Sequence, residues 1–252
     1  LGMDFERKKV LVADDNKSFL MYMAILLRRM GFNVILAENG MEALKLIKQL
    51  QPDLVLLDCL MPKLDGMSVL RYLRSDSEIS GINIVMMSSN PKTLHASEKF
   101  ECCGLLQKPV QIEDLHENLQ KCIFKPMGFT RKHLRIPFNE KVSVTFDNAR
   151  YDLFAESLSE GGIYIRKKEP FPVSSILDVS LSLRGEATLD FQGNVIYIKG
   201  LYADLFRVAP GMAIEFQDRT PDNAVVLRSY IKQYLAGDIW EDQEDTYIGK
   251  TA

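Results

Sequence analysis

The sequence is most restrictive in what it has little of. Its 252 residues include one tryptophan, three histidines and four cysteines. No apolar run approaches the roughly 20 residues that a membrane helix needs, so no membrane is an expected partner. The stretch from Leu1 to Lys9 has no apolar signal-peptide core, and the chain reads as cytoplasmic. A large excess of charge is also missing: the formal net charge is -3. A broad nucleic-acid surface needs clustered Lys and Arg in excess, so no DNA is expected either. Cys59, Cys102, Cys103 and Cys122 form no CxxC pair and read as reduced core thiols. His116 and His133 have no metal partners in the sequence pattern and read as surface histidines. There is no Gly-rich loop ending in Lys-Ser/Thr, no HExxH and no GxSxG. An enzyme acting on a second substrate is therefore not expected.

The composition that remains is that of a globular protein: 46% hydrophobic and 26% charged. The length suits one large domain or two small ones. Charge is nearly balanced in each half, yet it is locally sorted. Lys125, Arg131, Lys132 and Arg135 make a basic island without an acid, whereas Asp238–Asp245 holds five acids and no base. A small basic island favours a compact anionic ligand over a long polyanion.

The period changes near residue 124. Before it, the short apolar runs Lys9–Asp14, Phe32–Ala37, Asp53–Asp58, Ile82–Ser88 and Gly104–Gln107 read as parallel strands buried on both faces. Amphipathic segments alternate with them: Lys17–Met30, Gly40–Leu50, Asp65–Arg74, Thr93–Cys102 and Ile112–Ile123. Strand alternating with helix predicts a doubly wound parallel sheet, whose ligands bind outside the carboxyl ends of the strands. Asp14, Asp15, Asp58, Ser88 and Lys108 all fall at those ends. Carboxylate oxygens suit Mg²⁺, which takes few protein ligands and keeps several waters. Close to such a cation, one carboxylate can act as a nucleophile toward phosphorus, and a hydroxyl and an ammonium can hold the phosphoryl oxygens.

Beyond residue 124, Pro126 and Gly128 read as a linker, and from Lys141 the period is about two. Val142, Val144, Phe146, Leu153, Ala155, Ile163, Ile165, Leu177, Val179, Leu181, Leu183, Leu189, Phe191, Val195, Tyr197, Leu205, Ile214 and Phe216 mark the inward positions. Short strands with glycine turns predict a small antiparallel barrel. After Pro221 the helical period returns with Ala224, Leu227, Ile231, Tyr234 and Leu235. The expected domains are 1–123, a linker over 124–130, a second domain over 131–237 and an acidic tail over 238–252.

Two resemblances follow from these residues. Asp14-Asp15, the run Asp58-Cys59-Leu60-Met61-Pro62-Lys63-Leu64-Asp65-Gly66, Ser88 and Lys108-Pro109 resemble the receiver domain of two-component response regulators, a flavodoxin-like fold. The resemblance implies that Asp58 is the phosphoacceptor. It also implies that Asp14, Asp15, Asp58 and the Leu60 carbonyl bind Mg²⁺, that Ser88 and Lys108 contact the phosphoryl group, and that Pro109 follows a cis peptide. A sensor histidine kinase is the implied phosphodonor. Leu105 stands where that family often has an aromatic switch residue. Further on, Arg131-Lys132-His133-Leu134-Arg135 and Ser157-Leu158-Ser159-Glu160-Gly161-Gly162 resemble the RxxxR and (D/N)xSxxG motifs of a PilZ domain. That resemblance implies cyclic di-GMP as ligand, held by Arg131 and Arg135, with Ser157, Ser159 and Gly162 lining the turn. Ser157 departs from the family's Asp or Asn, and a hydroxyl offers less bidentate recognition of a guanine edge. The combined expectation is a response regulator phosphorylated on Asp58, whose PilZ domain binds cyclic di-GMP and signals to a downstream protein. The alternative is a PilZ protein-docking module that has lost the nucleotide. A homodimer is compatible with the apolar stripe of the last helix.

Overall fold

The computed structural model describes residues 8–124, 132–183, 188–199, 210–217 and 220–237. They divide into two compact units, one before and one after residues 125–131. In the first, β1 (Lys9–Ala13), β2 (Asn33–Ala37), β3 (Leu54–Asp58), β4 (Asn83–Ser88) and β5 (Gly104–Gln107) form one parallel sheet in the order β2-β1-β3-β4-β5. The helices are α1 (Lys17–Arg29), α2 (Gly40–Leu50), α3 (Gly66–Ser75), α4 (Pro91–Ser97) and α5 (Ile112–Leu119). Each of the first four starts where a side chain takes over an orphan backbone N–H. Asn16, Asn39, Asp65 and Asn90 accept from Phe19, Glu42, Ser68 and Lys92 respectively. All five residues of β3 are buried, as expected for the central strand of a sheet covered on both faces.

The expected helix over Thr93–Cys102 begins earlier and ends sooner. Pro91 takes the first turn, where its missing N–H costs nothing, and the helix tightens into a 3₁₀ turn over Glu98–Phe100. Glu101 then stops it with a positive φ of 54°. The cysteines also differ from expectation. Cys103 and Cys122 are joined in a disulfide, with their Cα atoms 6.0 Å apart, while Cys59 and Cys102 are free. The cause is topological: α5 runs back along β5, so a residue just before the strand meets one just after the helix.

The second unit is an antiparallel barrel. Its strands are β6 (Arg135–Pro137), β7 (Lys141–Phe146), β8 (Ala149–Ser159), β9 (Gly162–Arg166), β10 (Ile176–Ser182), β11 (Thr188–Lys199) and β12 (Gly211–Phe216). The ring β8-β7-β10-β11-β12-β9 closes through β8–β9 pairing, and β6 adds to β8 at one end. Closure leaves no strand edge in those six strands, which is how small barrels avoid edge pairing. Inward positions follow the expected alternation, with Val142, Val144, Leu177, Val179, Leu181, Phe191, Ile214 and Phe216 buried. Tyr197 does not follow it. A bulge between Val195 and Tyr197 changes the phase, and Tyr197 is exposed. Leu205 lies outside the described residues. Helix α6 (Pro221–Lys232) buries Leu227 and Ile231, and the turn after it buries Leu235, whereas Tyr234 is exposed.

Candidate functional site

In the first unit the expected site residues collect at the carboxyl edge of the sheet. Asp14 follows β1, its N–H donating to the Ala37 carbonyl (3.0 Å), and Asp58 and Ser88 end β3 and β4. All three are buried. Lys108 follows β5, and its N–H donates to the Ser88 carbonyl at 3.0 Å. The Lys108–Pro109 peptide is cis. The sheet register thus aims one ammonium at two carboxylates. Lys108 Nζ donates to Asp58 Oδ1 at 2.6 Å and also to Asp14 Oδ2. Its ammonium also lies over Phe19, with Nζ 4.5 Å from the ring centre, a cation–π contact.

Each carboxylate has its second oxygen occupied. Asp14 Oδ1 accepts from the Asn16 N–H (3.0 Å) and Asp58 Oδ2 from the Leu60 N–H (3.0 Å). Burial pushes the Asp58 carboxyl above the usual carboxylate range, and the Asp14 charge adds to the rise against the pull of Lys108. The Lys108 ammonium is held above its ordinary value by the hydrogen bonds to Asp14 and Asp58, which outweigh the opposing effect of burial. Beside them, burial raises the Cys59 thiol to about 11, so it stays protonated near neutral pH. Ser88 Oγ accepts from the Asn90 N–H at 3.1 Å and also lies within hydrogen-bond reach of the Cys59 thiol.

Asp15 and Leu60 lie exposed at the rim. Among the described residues, no three His, Cys, Asp or Glu side chains are grouped closely enough to enclose a metal. The donor set still fits Mg²⁺, which is commonly held by one or two carboxylates and otherwise by water. Asp14 and Asp58 supply two buried carboxylates, and only one ammonium is shared between them.

In the second unit, sequence motifs 22 residues apart (Arg135 to Ser157) become neighbours through β6. Arg135 pairs with Ser159 and Pro137 with Ser157 in the antiparallel register. Arg135, which lies ahead of the alternating pattern that starts at Lys141, begins a strand of its own, and its side chain is exposed. Arg131 lies outside the described residues. Ser159 is buried and its Oγ donates to the Gly162 carbonyl at 3.1 Å, which tightens the β8–β9 turn. Ser157 is half-buried beside a bulge between Ala155 and Ser157. Gly162 is required by packing: a Cβ there would lie 2.2 Å from the Ile214 carbonyl oxygen of β12.

Sequence reasoning missed the ionic cluster that Glu160, Arg228 and His133 form at this turn. Glu160 Oε2 accepts from Arg228 Nε (3.1 Å) and Nη2 (2.9 Å), and His133 Nδ1 lies 3.9 Å away. His133 is half-buried against the turn rather than a plain surface histidine. Arg228 lies on α6, and its distance along the chain left no local signal.

Comparison with known proteins agrees with this division. The family model for the response regulator receiver domain matches residues 10–120, and that for the PilZ domain matches residues 129–236. The DNA-binding response regulator MtrA of Mycolicibacterium smegmatis is 40% identical over 92 residues, covering 36% of this chain and 39% of that protein. The chain thus spans well under half the length of that relative. The probable transcriptional regulator ycf27 of Porphyra purpurea is 28% identical over 218 residues, covering 81% of this chain and 88% of that protein. Among solved structures, a Francisella response regulator receiver domain is 31% identical, covering 43% of this chain and 90% of that one, with a TM-score of 0.40. The chain belongs to the response regulators, with a receiver domain followed by a PilZ domain.

Proposed function

We propose that the protein is switched by phosphorylation of Asp58 and by cyclic di-GMP, and that it signals to a protein partner through its PilZ domain. The observation that carries the first half is the Lys108 ammonium bridging Asp14 and Asp58 beside the buried Ser88. The Asp58 carboxylate attacks the phosphorus of a histidine kinase's phosphohistidine; an O–P bond forms, the P–N bond breaks, and the imidazole leaves. Lys108 and the Ser88 hydroxyl then hold the phosphoryl oxygens that carry the added charge. Asp14, Asp15, Asp58 and the Leu60 carbonyl would hold Mg²⁺, whose charge offsets that of the phosphoryl group when it is bound.

Support for the nucleotide half comes from the β6–β8 register, which sets Arg135 opposite Ser159 at the Ser157–Gly162 turn. Arg135, together with Arg131, supplies guanidinium groups for phosphates and guanine edges. Ser157 favours the second reading, a docking module without nucleotide, because a hydroxyl cannot match a carboxylate's paired acceptors. If one input tightens the other, linkage makes the effect reciprocal.

Calorimetry of the full chain with cyclic di-GMP, with and without the phosphoryl mimic beryllofluoride, tests the reading. Binding that Arg135→Ala weakens about tenfold, one charged hydrogen bond's contribution, is expected. No heat at high ligand in either state would leave the docking module. Labelling by acetyl phosphate should vanish in Asp58→Ala; persistent label would move the acceptor elsewhere.

A further inference from the structure

Glu160 has the wrong charge for its place. It sits in the β8–β9 turn next to Gly161 and Gly162, facing the segment that leads into Arg135. Its side chain is only 13% exposed. A carboxylate so placed repels an anionic ligand, and the repulsion strengthens as water is excluded. The structure answers this charge from a distant element. Arg228 of α6 donates twice to Glu160 Oε2, at 3.1 and 2.9 Å. The turn is held from other sides as well. The Phe216 N–H donates to the Gly161 carbonyl at 3.0 Å, and the His133 ring lies so close that a Cβ on Gly161 would come within 2.7 Å of it. Helix α6 also meets the chain after β6, where the Tyr230 and Phe138 rings pack edge to face at 6.3 Å.

We propose that Arg228 is a positioning residue for the PilZ ligand turn. Acting through Glu160, it neutralises the one acid of the turn and ties that turn to α6, without itself touching the ligand. The proposal rests on the cyclic di-GMP reading for its affinity effect, and on the free protein for its effect on the turn.

The sign of the charge provides the test. Four full-length proteins are compared by calorimetry with cyclic di-GMP: wild type, Arg228→Ala, Glu160→Gln and the double variant. Arg228→Ala removes the cation hydrogen-bonded to Glu160 and should weaken binding at least tenfold. Glu160→Gln, which removes the repelling charge, should stay within threefold of wild type. The double variant should recover to within threefold of Glu160→Gln. A merely structural contact predicts the opposite, a double variant as weak as Arg228→Ala or weaker, and that result overturns the proposal. So does unchanged affinity in Arg228→Ala. In parallel, amide hydrogen exchange is followed over Glu160–Gly162 in the ligand-free chains. Arg228→Ala should speed it at least fivefold, with Arg228→Lys in between. Unchanged exchange overturns the tie to α6 whether or not the wild type binds nucleotide. A wild type that gives no heat sinks the nucleotide reading alone, and the exchange result still decides the tie.

Discussion

Replacing Lys108 by Met should destabilise the receiver domain in a way that depends on pH and on Mg²⁺. The substitution keeps most of the side-chain volume and removes the ammonium shared by Asp14 and Asp58. Asp14 is 1% and Asp58 6% exposed, so neither recovers full hydration. Breaking a buried ion pair costs about 3–5 kcal/mol. The Lys108 side chain is 18% exposed, which places the loss near the lower end, about 3 kcal/mol. For a domain of this size that is a fall in melting temperature of about 12 °C. Protonation of Asp58 offers an escape, because burial already raises its carboxyl pKa and loss of the ammonium raises it further. A carboxyl whose folded pKa exceeds its unfolded value, about 3.9, binds more protons folded than unfolded. Stability then falls as pH rises through that interval, so the gap between variant and wild type should narrow as pH is lowered toward the unfolded value and widen as pH rises. Two further arms isolate the electrostatics. Millimolar MgCl₂ should return about 2.7 kcal/mol if it reaches a hundred times its dissociation constant. Asp58→Asn in the Lys108→Met background should return most of the loss by removing one of the two charges. Calorimetric melts of the full chain, in chelator and in Mg²⁺, read all four outcomes. A Lys108→Met protein that melts within about 2 °C of wild type at neutral pH in chelator would refute the argument, since buried carboxylates cannot lose their counter-ion at no cost.

Three other outcomes are expected. Gly162→Ala should lower the melting temperature of the barrel by far more than Gly161→Ala, because its methyl meets the backbone carbonyl of Ile214 whereas the other meets a movable His133 ring; equal shifts would refute this. Ser157→Asp should tighten cyclic di-GMP, read by calorimetry, by restoring a two-oxygen acceptor beside Ser159; weaker binding would show that the half-buried site near the bulge cannot house a charge. Digestion without reductant should release a peptide pair linked through Cys103 and Cys122, with Cys59 and Cys102 alkylated once unfolded; four alkylated thiols would show the pair to be reduced.

Much of this fold is legible because burial is written in a local period. The run Leu54–Leu57 is apolar throughout since β3 is covered on both faces, and it names its own position in the sheet. The acceptor edge is legible for the same reason: Asp14, Asp58 and Ser88 are the polar residues at the ends of apolar runs. What escapes is whatever depends on contacts between distant segments. Strand β6 is three residues long and carries no period, so Arg135 could not be seen to lie opposite Ser159. The Tyr197 position is lost because a bulge shifts the phase of β11 by one residue, which sequence alternation cannot register. Cys103 and Cys122 are 19 residues apart and had a usable signal. They bracket a strand–helix unit whose helix must return antiparallel to the strand, and that return brings the two ends together.

The two candidate sites share an electrostatic design despite their different folds. In each, an acid with little access to water is answered by a base from a remote segment: Asp58 by Lys108, and Glu160 by Arg228. The consequences for a ligand are opposite. Under the proposed function the acid at the sheet edge is the reacting group, so the base must be free to leave it for the phosphoryl oxygens; a shared ammonium bound to two carboxylates can do so once a cation takes its place. At the barrel turn the proposed role gives the acid no part in binding, so the base must stay where it is. Helix α6 anchors it by burying Leu227 and Ile231 on either side of Arg228. The first pair should therefore exchange partners when the ligand arrives, and the second should not. A net charge of -3 hides both, because acid and base lie together within each site.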